Sequence, residues 1–218
     1  MRNLIFTITI TCVSLITGFL EVNAQEITQY ENLLEKNVRF LDENKEQDSY
    51  EDVLFRFERL RKLAPEKWLP SYYSAYCKLI LTRWRDDKED LTNQVIIQLE
   101  ELIKKERNSE NITLLARAYM KKVEFNETAG PKYTVKIKDL LKESIKKDNN
   151  NPRTYLMYGH FYYYFPEFAG GDKEKALKFF KKAKILFNSE EEAIKKKYSC
   201  LPHWGKKLNI NYIENYKN

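Results

Sequence analysis

Histidine, cysteine and glycine, from which many catalytic and metal sites are built, are scarce in this sequence. Its 218 residues include two histidines, three cysteines and six glycines. No glycine-rich phosphate loop, His-Glu-x-x-His, Gly-x-Ser-x-Gly or Cys-x-x-Cys motif occurs. His160 and His203 are far apart in the chain, and we expect His160 to be a packed or hydrogen-bonded side chain rather than a metal ligand. The sequence therefore predicts no enzyme activity, no catalytic residue, no metal site and no cofactor.

Proline is as scarce as glycine, and no convincing pattern of alternating strand residues occurs. Charged residues make up 32% of the chain, and the apolar residues follow helical spacing. This composition predicts an all-α protein.

The first 24 residues have the pattern of a cleaved signal peptide. Arg2 supplies the positive start, residues 4–20 the apolar run, and residues 22–24 the small-residue cleavage site. We therefore predict an exported mature chain, residues 25–218, that is periplasmic or secreted and has no membrane span. An uncleaved anchor is the alternative, because the apolar run is about long enough to approach a bilayer span. The net charge of +6 is the same either way, since the segment carries one charge of each sign.

The stretch 149–187 comes closest to a recognisable helical repeat. Four of its residues stand at offsets 0, 3, 4 and 7 and so share one helix face: Tyr155, Tyr158, Gly159 and Tyr162. Gly159 lets a neighbouring helix approach closely. After Gly170 and Gly171, Asp172 can cap a second helix. The apolar stripe of that helix is Ala176, Phe180, Ala183 and Phe187.

Weaker copies of these offsets occur upstream. They give helical patterns in residues 26–43, 48–60, 68–84, 90–105, 112–119 and 137–144. Residues 188–218 add a last amphipathic piece that can cap the open end of an array. The sequence therefore predicts an all-α solenoid of about three to four helix-turn-helix units over residues 25–218, with a C-terminal capping helix.

The last unit resembles the tetratricopeptide repeat (TPR). The order Tyr-x-x-Tyr-Gly-x-x-Tyr followed by Ala-x-x-x-Phe is similar to the TPR signature, with a loop about five residues longer than usual. Pro152-Arg153, the segment 165–171 and Pro202-His203-Trp204-Gly205 are similar to exported TPR proteins of Gram-negative bacteria, and in part to the TPR component of TRAP-type transporters. The resemblance implies a TPR-like solenoid with a concave surface for a protein or peptide partner. The transporter-associated relatives imply a small organic ligand.

The long loop and the aromatic run before it form the candidate binding site. Five consecutive aromatic residues, 161–165, cannot all lie on one buried stripe, because a consecutive run goes all round a helix. Either the loop covers these rings, or they line a pocket with the predicted binding residues Tyr163, Tyr164, Phe168, Gly170 and Gly171. We predict a non-catalytic protein-interaction or assembly module of the bacterial cell envelope. The alternative is a periplasmic small-ligand-binding protein that uses this aromatic pocket.

Two cysteines, Cys77 and Cys200, remain after the predicted cleavage. An oxidising compartment permits a disulfide that would tie the tail to the second unit. We favour two free thiols, because a solenoid separates its distant units.

Six lysines crowd the second helix of the last unit, within residues 173–184. A solvated outer face is the main interpretation, and attraction to acidic surfaces or anionic polymers is the alternative. Because the chain is predicted to be exported, we predict no nucleic-acid partner.

Overall fold

The computed structural model describes residues 28–126, 128 and 130–216. This part of the chain is helical and contains no strand, which confirms the all-α prediction for it. The predicted signal peptide lies outside the described residues. Across the described part, no helix combines the length and the apolar character needed to cross a membrane.

Nine α-helices occur in the described residues. In chain order they are α1 (28–43), α2 (Gln47–Leu63), α3 (Trp68–Leu81), α4 (Lys88–Lys105), α5 (Ser109–Phe125), α6 (Gly130–Lys147), α7 (Pro152–Tyr164), α8 (Lys173–Lys196) and α9 (Lys206–Asn215). A short 3-10 turn, Glu167–Ala169, lies between α7 and α8. The helix α8 continues through residues 189–196, which the sequence had assigned to the C-terminal cap.

The helices pack in order along the chain, and every second helix forms an inner layer. From α2 to α9 each helix contacts the next, and α5 also contacts both α3 and α7. Residues 111–120 of α5 are all buried, whereas α6 buries only Ile137, Leu140, Leu141 and Ser144. The helices α3, α5 and α7 therefore form the core, with α4, α6 and α8 outside them.

The pair α7 and α8 forms as the sequence indicated. The Asp172 carboxylate accepts a hydrogen bond from the backbone N–H of Lys175 at 2.9 Å and so caps α8. The predicted stripe on α8 is buried. A Cβ atom at Gly159 would overlap the ring of Phe180, which confirms the expected close approach of the two helices.

A buried ion-pair network joins α5, α7 and α8. Arg153 of α7 is 3% exposed, and its guanidinium lies 2.8 Å from Glu110 and 2.5 Å from Glu190. Tyr72 of α3 donates a hydrogen bond to Glu110 at 3.3 Å and accepts one from the indole N–H of Trp204 at 2.8 Å. This network joins the starts of α5 and α7 to α8 and also anchors the C-terminal segment.

The segment 198–204, here called the return segment, runs back from α8 to the first helices. The Tyr73 hydroxyl of α3 donates to the backbone carbonyl of Cys200 at 2.9 Å, and the His203 imidazole lies 2.9 Å from the Asp42 carboxylate of α1. The helix α9 then packs on α8, as a terminal cap would. Cys77 and Cys200 are free thiols, as expected. The reason we gave for this was wrong, because the tail does reach the second helix pair.

Candidate functional site

The five residues predicted to bind a ligand occupy the end of α7 and the loop after it. Tyr163 is partly buried, Tyr164 is 58% exposed and Phe168 is 95% exposed. Gly170 has a φ of 96°, which favours glycine. A Cβ atom at Gly171 would overlap the carbonyl of Phe165, so both glycines shape the loop.

Only the two tyrosines among these residues join a larger aromatic cluster. The Tyr212 ring of α9 lies 5.7 Å from the Tyr163 ring and 6.0 Å from the Tyr164 ring. The His160 imidazole lies 4.6 Å from the Tyr164 ring and 5.8 Å from the Tyr212 ring. Phe168 stays outside this cluster on the loop surface. The predicted binding residues are therefore divided between an aromatic cluster closed by α9 and the exposed loop.

His160 contributes an unpaired nitrogen to the cluster. Its Nδ1 atom is buried and has no hydrogen-bond partner. Burial, together with the positive charges of Arg117 and Lys121, lowers the pKa of His160 to about 3. The imidazole is therefore neutral at neutral pH, the form that can accept a hydrogen bond or bind a metal.

Arg117 of α5 is a buried cation with no carboxylate partner. The side chain is 9% exposed, and its guanidinium lies 4.6 Å from the Trp204 ring and 5.5 Å from the Tyr76 ring. Hydrogen bonding links it to the Tyr76 hydroxyl, but its Nη1 atom has no partner and it forms no ion pair with a described residue. Burial lowers the pKa of Arg117, as does the nearby charge of Arg83. An arginine remains charged nonetheless, so this cation is costly where it lies.

These side chains form one continuous site between five elements, namely α3, α5, α7, the return segment and α9. We call it the inner site and define it by Tyr76, Arg117, His160, Trp204 and Tyr212. The Trp204 ring stacks on the Tyr76 ring at 5.3 Å, and the Tyr212 ring stacks on Phe180 at 4.8 Å. The His160 end of the site lies beside the exposed Tyr164, whereas the Trp204 ring covers Arg117. The site combines a guanidinium that has one unpartnered nitrogen with a neutral imidazole, both between aromatic rings.

Two cavities of about 680 Å³ each lie elsewhere in the described part. The first lies at the starts of α5 and α7 and is lined by Arg107, Arg153, Leu201 and Pro202 among others. Both of those arginines are already paired with carboxylates, whereas Arg117 has no ion-pair partner among the described residues. The second lies between α2, α3 and α4. Within the described residues, no group of three or more His, Cys, Asp or Glu side chains could hold a metal ion.

The comparisons with known proteins give a solved structure of similar fold. No family model matches the chain, and no curated protein sequence matches it. Its fold is similar to that of a haemophore. The HusA haemophore from Porphyromonas gingivalis superposes with a TM-score of 0.74, over 86% of this chain and 92% of that chain, at 23% sequence identity. The two proteins therefore share a helical fold.

Sequence reasoning did not single out Arg117, Tyr76 or Trp204 as site residues. Arg117 stands between Ala116 and Ala118 in a buried run, and a charged residue in such a run was the available signal. The role of Trp204 depends on the return segment, whose path no helical spacing encodes.

Proposed function

We propose that this protein binds a flat aromatic ligand with carboxylate groups, of the tetrapyrrole class to which haem belongs, at the inner site. The observation that carries the proposal is the buried guanidinium of Arg117, whose Nη1 atom has no hydrogen-bond partner and which forms no ion pair with a described residue. The similarity to the HusA haemophore supports the same ligand class. Small-ligand binding was the alternative function in the sequence analysis, and we now place it first.

The contacts of the inner site match the parts of such a ligand. A carboxylate would accept a charge-assisted hydrogen bond from Arg117, and the charges of Arg83 and Lys121 would attract it from the rim. The Tyr76 ring would offer a face for the flat body once the Trp204 ring that stacks on it has moved. The neutral His160 supplies a nitrogen close to the same rings.

Ligand access requires the return segment to move. The Nη1 atom of Arg117 has no exposed surface, and the Trp204 ring lies over the guanidinium. That segment is an irregular stretch held by hydrogen bonds to α1 and α3 and by the stacking of Trp204 on Tyr76, so it can be displaced without unfolding a helix.

The effects of Arg117→Met on stability and on ligand affinity distinguish a binding role of Arg117 from a structural one. Replacing a buried, poorly paired charge with an apolar side chain of similar volume is commonly neutral or stabilising, by about 1–3 kcal/mol. We therefore expect Arg117→Met to be at least as stable as the unchanged protein. A hydrogen bond to a charged group contributes about 1.5–3 kcal/mol, so the same substitution should weaken ligand binding by about 10- to 100-fold.

The test is a titration of the mature chain with haem, followed by the absorbance change of the bound porphyrin. The matched control is Arg59→Met, which removes an exposed arginine of α2. Saturable binding that Arg117→Met weakens and Arg59→Met leaves unchanged would support the proposal. Equal affinity of the folded Arg117→Met variant, or no saturable binding of haem at all, would overturn it.

Protein binding, the first function in the sequence analysis, remains a second candidate. The observation that favours it is the groove between α2, α3 and α4, which includes Trp68, Leu102 and Ile97, the last 63% exposed. Native mass spectrometry of the protein purified from its own envelope distinguishes the two functions. A co-purifying chain would favour this groove, and an extra ligand mass would favour the inner site.

We also propose that the helix pairs are TPR-like units and that the chain is exported. The successive contacts of α3, α5 and α7 support the first part, since each unit then packs on the next. The signal-peptide pattern of residues 1–24 supports the second part. Mass analysis of the mature N-terminus would test the cleavage before Gln25.

A further inference from the structure

Positive charge is concentrated on the outer helices of the last two pairs. The helix α6 carries six lysines and two acidic residues, and the first half of α8, residues 173–184, carries six lysines and one glutamate. In contrast, α2 has four basic and four acidic residues, and α4 has three basic and four acidic residues. The outer surface of the chain is therefore basic at one end only.

Most of these lysines are exposed and have no acidic partner. In the first half of α8, Lys175 pairs with Asp172 at 3.1 Å. Five exposed lysines of this half form no ion pair with a described residue: Lys173, Lys178, Lys181, Lys182 and Lys184. The same holds for four exposed lysines of α6: Lys132, Lys142, Lys146 and Lys147. Their charge is not neutralised within the protein.

The two rows of lysines flank the same inner helix, α7. The Tyr158 hydroxyl of α7 donates to the backbone carbonyl of Lys138 in α6 at 3.4 Å, and its ring stacks on Phe179 of α8 at 4.8 Å. The loop before α8 also contacts α6, because the Lys138 ammonium donates to the carbonyl of Ala169 at 3.1 Å. Exposed apolar side chains accompany the lysines, namely Val135, Phe168 and Ile185.

We propose that this surface, the α6–α8 face, docks the protein on a membrane surface that carries anionic phospholipid headgroups. Neither α6 nor α8 contains arginine, whereas α2 contains three. Protein interfaces are enriched in arginine and depleted of lysine, so an all-lysine face fits a field of mobile lipid charges better than a partner protein. The exposed apolar side chains would reach the headgroup boundary.

The expected strength follows from the number of lysines. Each lysine near an anionic membrane contributes about 1 kcal/mol, or about fivefold in affinity. Reversing the charge of Lys178, Lys181 and Lys182 should therefore weaken binding by about 100-fold or more. High salt should also release the protein, since the Debye length falls to about 3 Å at about 1 M salt.

The test is sedimentation of the mature chain with phosphatidylcholine vesicles that contain or lack phosphatidylglycerol. The test variant is K178E/K181E/K182E, and the matched control is K62E/K67E/K105E, which makes the same change of net charge at exposed sites around the opposite end. We expect binding to the anionic vesicles only, lost in the test variant and kept in the control. Circular dichroism should show equal helix content in both variants.

Other outcomes would overturn the proposal. Equal loss in both variants would mean that net charge alone drives adsorption. Binding to the neutral vesicles, or to heparin but not to anionic vesicles, would point to a different partner. The assay contains no haem, so its result is independent of the ligand proposed for the inner site.

Discussion

Replacing Arg153 with leucine removes the cation that lies between Glu110 and Glu190. Both carboxylates then lose this ion-pair partner. Arg153 is 3% exposed and contacts the two carboxylates at 2.8 and 2.5 Å. Because these residues join α5, α7 and α8, the substitution tests whether the three helices meet as described. Breaking a buried ion pair from one side costs about 3–5 kcal/mol.

The pH dependence of this loss follows from Glu110. Burial raises the pKa of Glu110 above its ordinary value of 4.5, and Arg153 opposes that rise. Without Arg153 the pKa of Glu110 should rise further. A carboxyl group whose folded pKa exceeds the unfolded one stabilises the protein below the unfolded pKa and loses that contribution as the pH rises through the folded pKa. The difference in unfolding free energy between variant and unchanged protein should therefore be larger at about pH 7 than at about pH 4.5.

The assay is denaturant unfolding of both proteins at the two pH values, with thermal unfolding as a second measurement. For a chain of this size we expect Tm to fall by roughly 10 °C at neutral pH. Adding Glu110→Gln to the Arg153→Leu variant should recover part of the stability, because it removes one unpaired charge. A loss below about 1 kcal/mol, or a loss that does not shrink at acid pH, would refute the buried network.

Three further predictions concern single contacts. Burial alone would lower the pKa of His203, but hydrogen bonding and charge from Asp42 raise it overall, so Asp42→Asn should lower that pKa in an NMR titration. The stabilisation that this contact gives is present below the unfolded pKa of His203 and is lost as the pH rises through the folded one. Gly159→Ala should lower the unfolding free energy by about 1–2 kcal/mol, because overpacking exceeds the gain in helix propensity, whereas alanine at the glycine that begins α6 should be tolerated. A thiol titration of the denatured, unreduced mature chain should find both Cys77 and Cys200 free.

Local spacing was enough to predict the helix pairs. The stripe Ala176, Phe180, Ala183 and Phe187 is buried because residues three or four apart share one face of a helix. The close approach at Gly159 followed from the same argument. These predictions depend on residues within a few turns of one another, where the backbone geometry is nearly fixed.

The return segment could not be predicted by such reasoning. Its contacts join Asp42 to His203 and Tyr72 to Trp204, pairs separated by more than half of the chain. The segment is not helical, so no periodicity reports which side chains face the core. For the same reason the inner site was missed, since the contact of Trp204 with Arg117 depends on the path of this segment.

The contact between Trp204 and Arg117 couples the return segment to the proposed ligand. If a carboxylate can reach Arg117 only after that segment moves, the free energy of docking the segment opposes binding. Asp42→Asn weakens the docking at His203 without touching the inner site. This substitution should therefore tighten haem binding while lowering the unfolding free energy. Raising the pH should likewise weaken the His203 contact and tighten haem binding by the unchanged protein.

Trp204→Phe offers a matched comparison, because it removes the hydrogen bond to Tyr72 and shrinks the ring over Arg117. Haem titrations should therefore show tighter binding by both variants than by the unchanged protein. A weaker affinity in Asp42→Asn would mean that the ligand binds against the docked segment, and the inner site would have to open at Tyr164 instead.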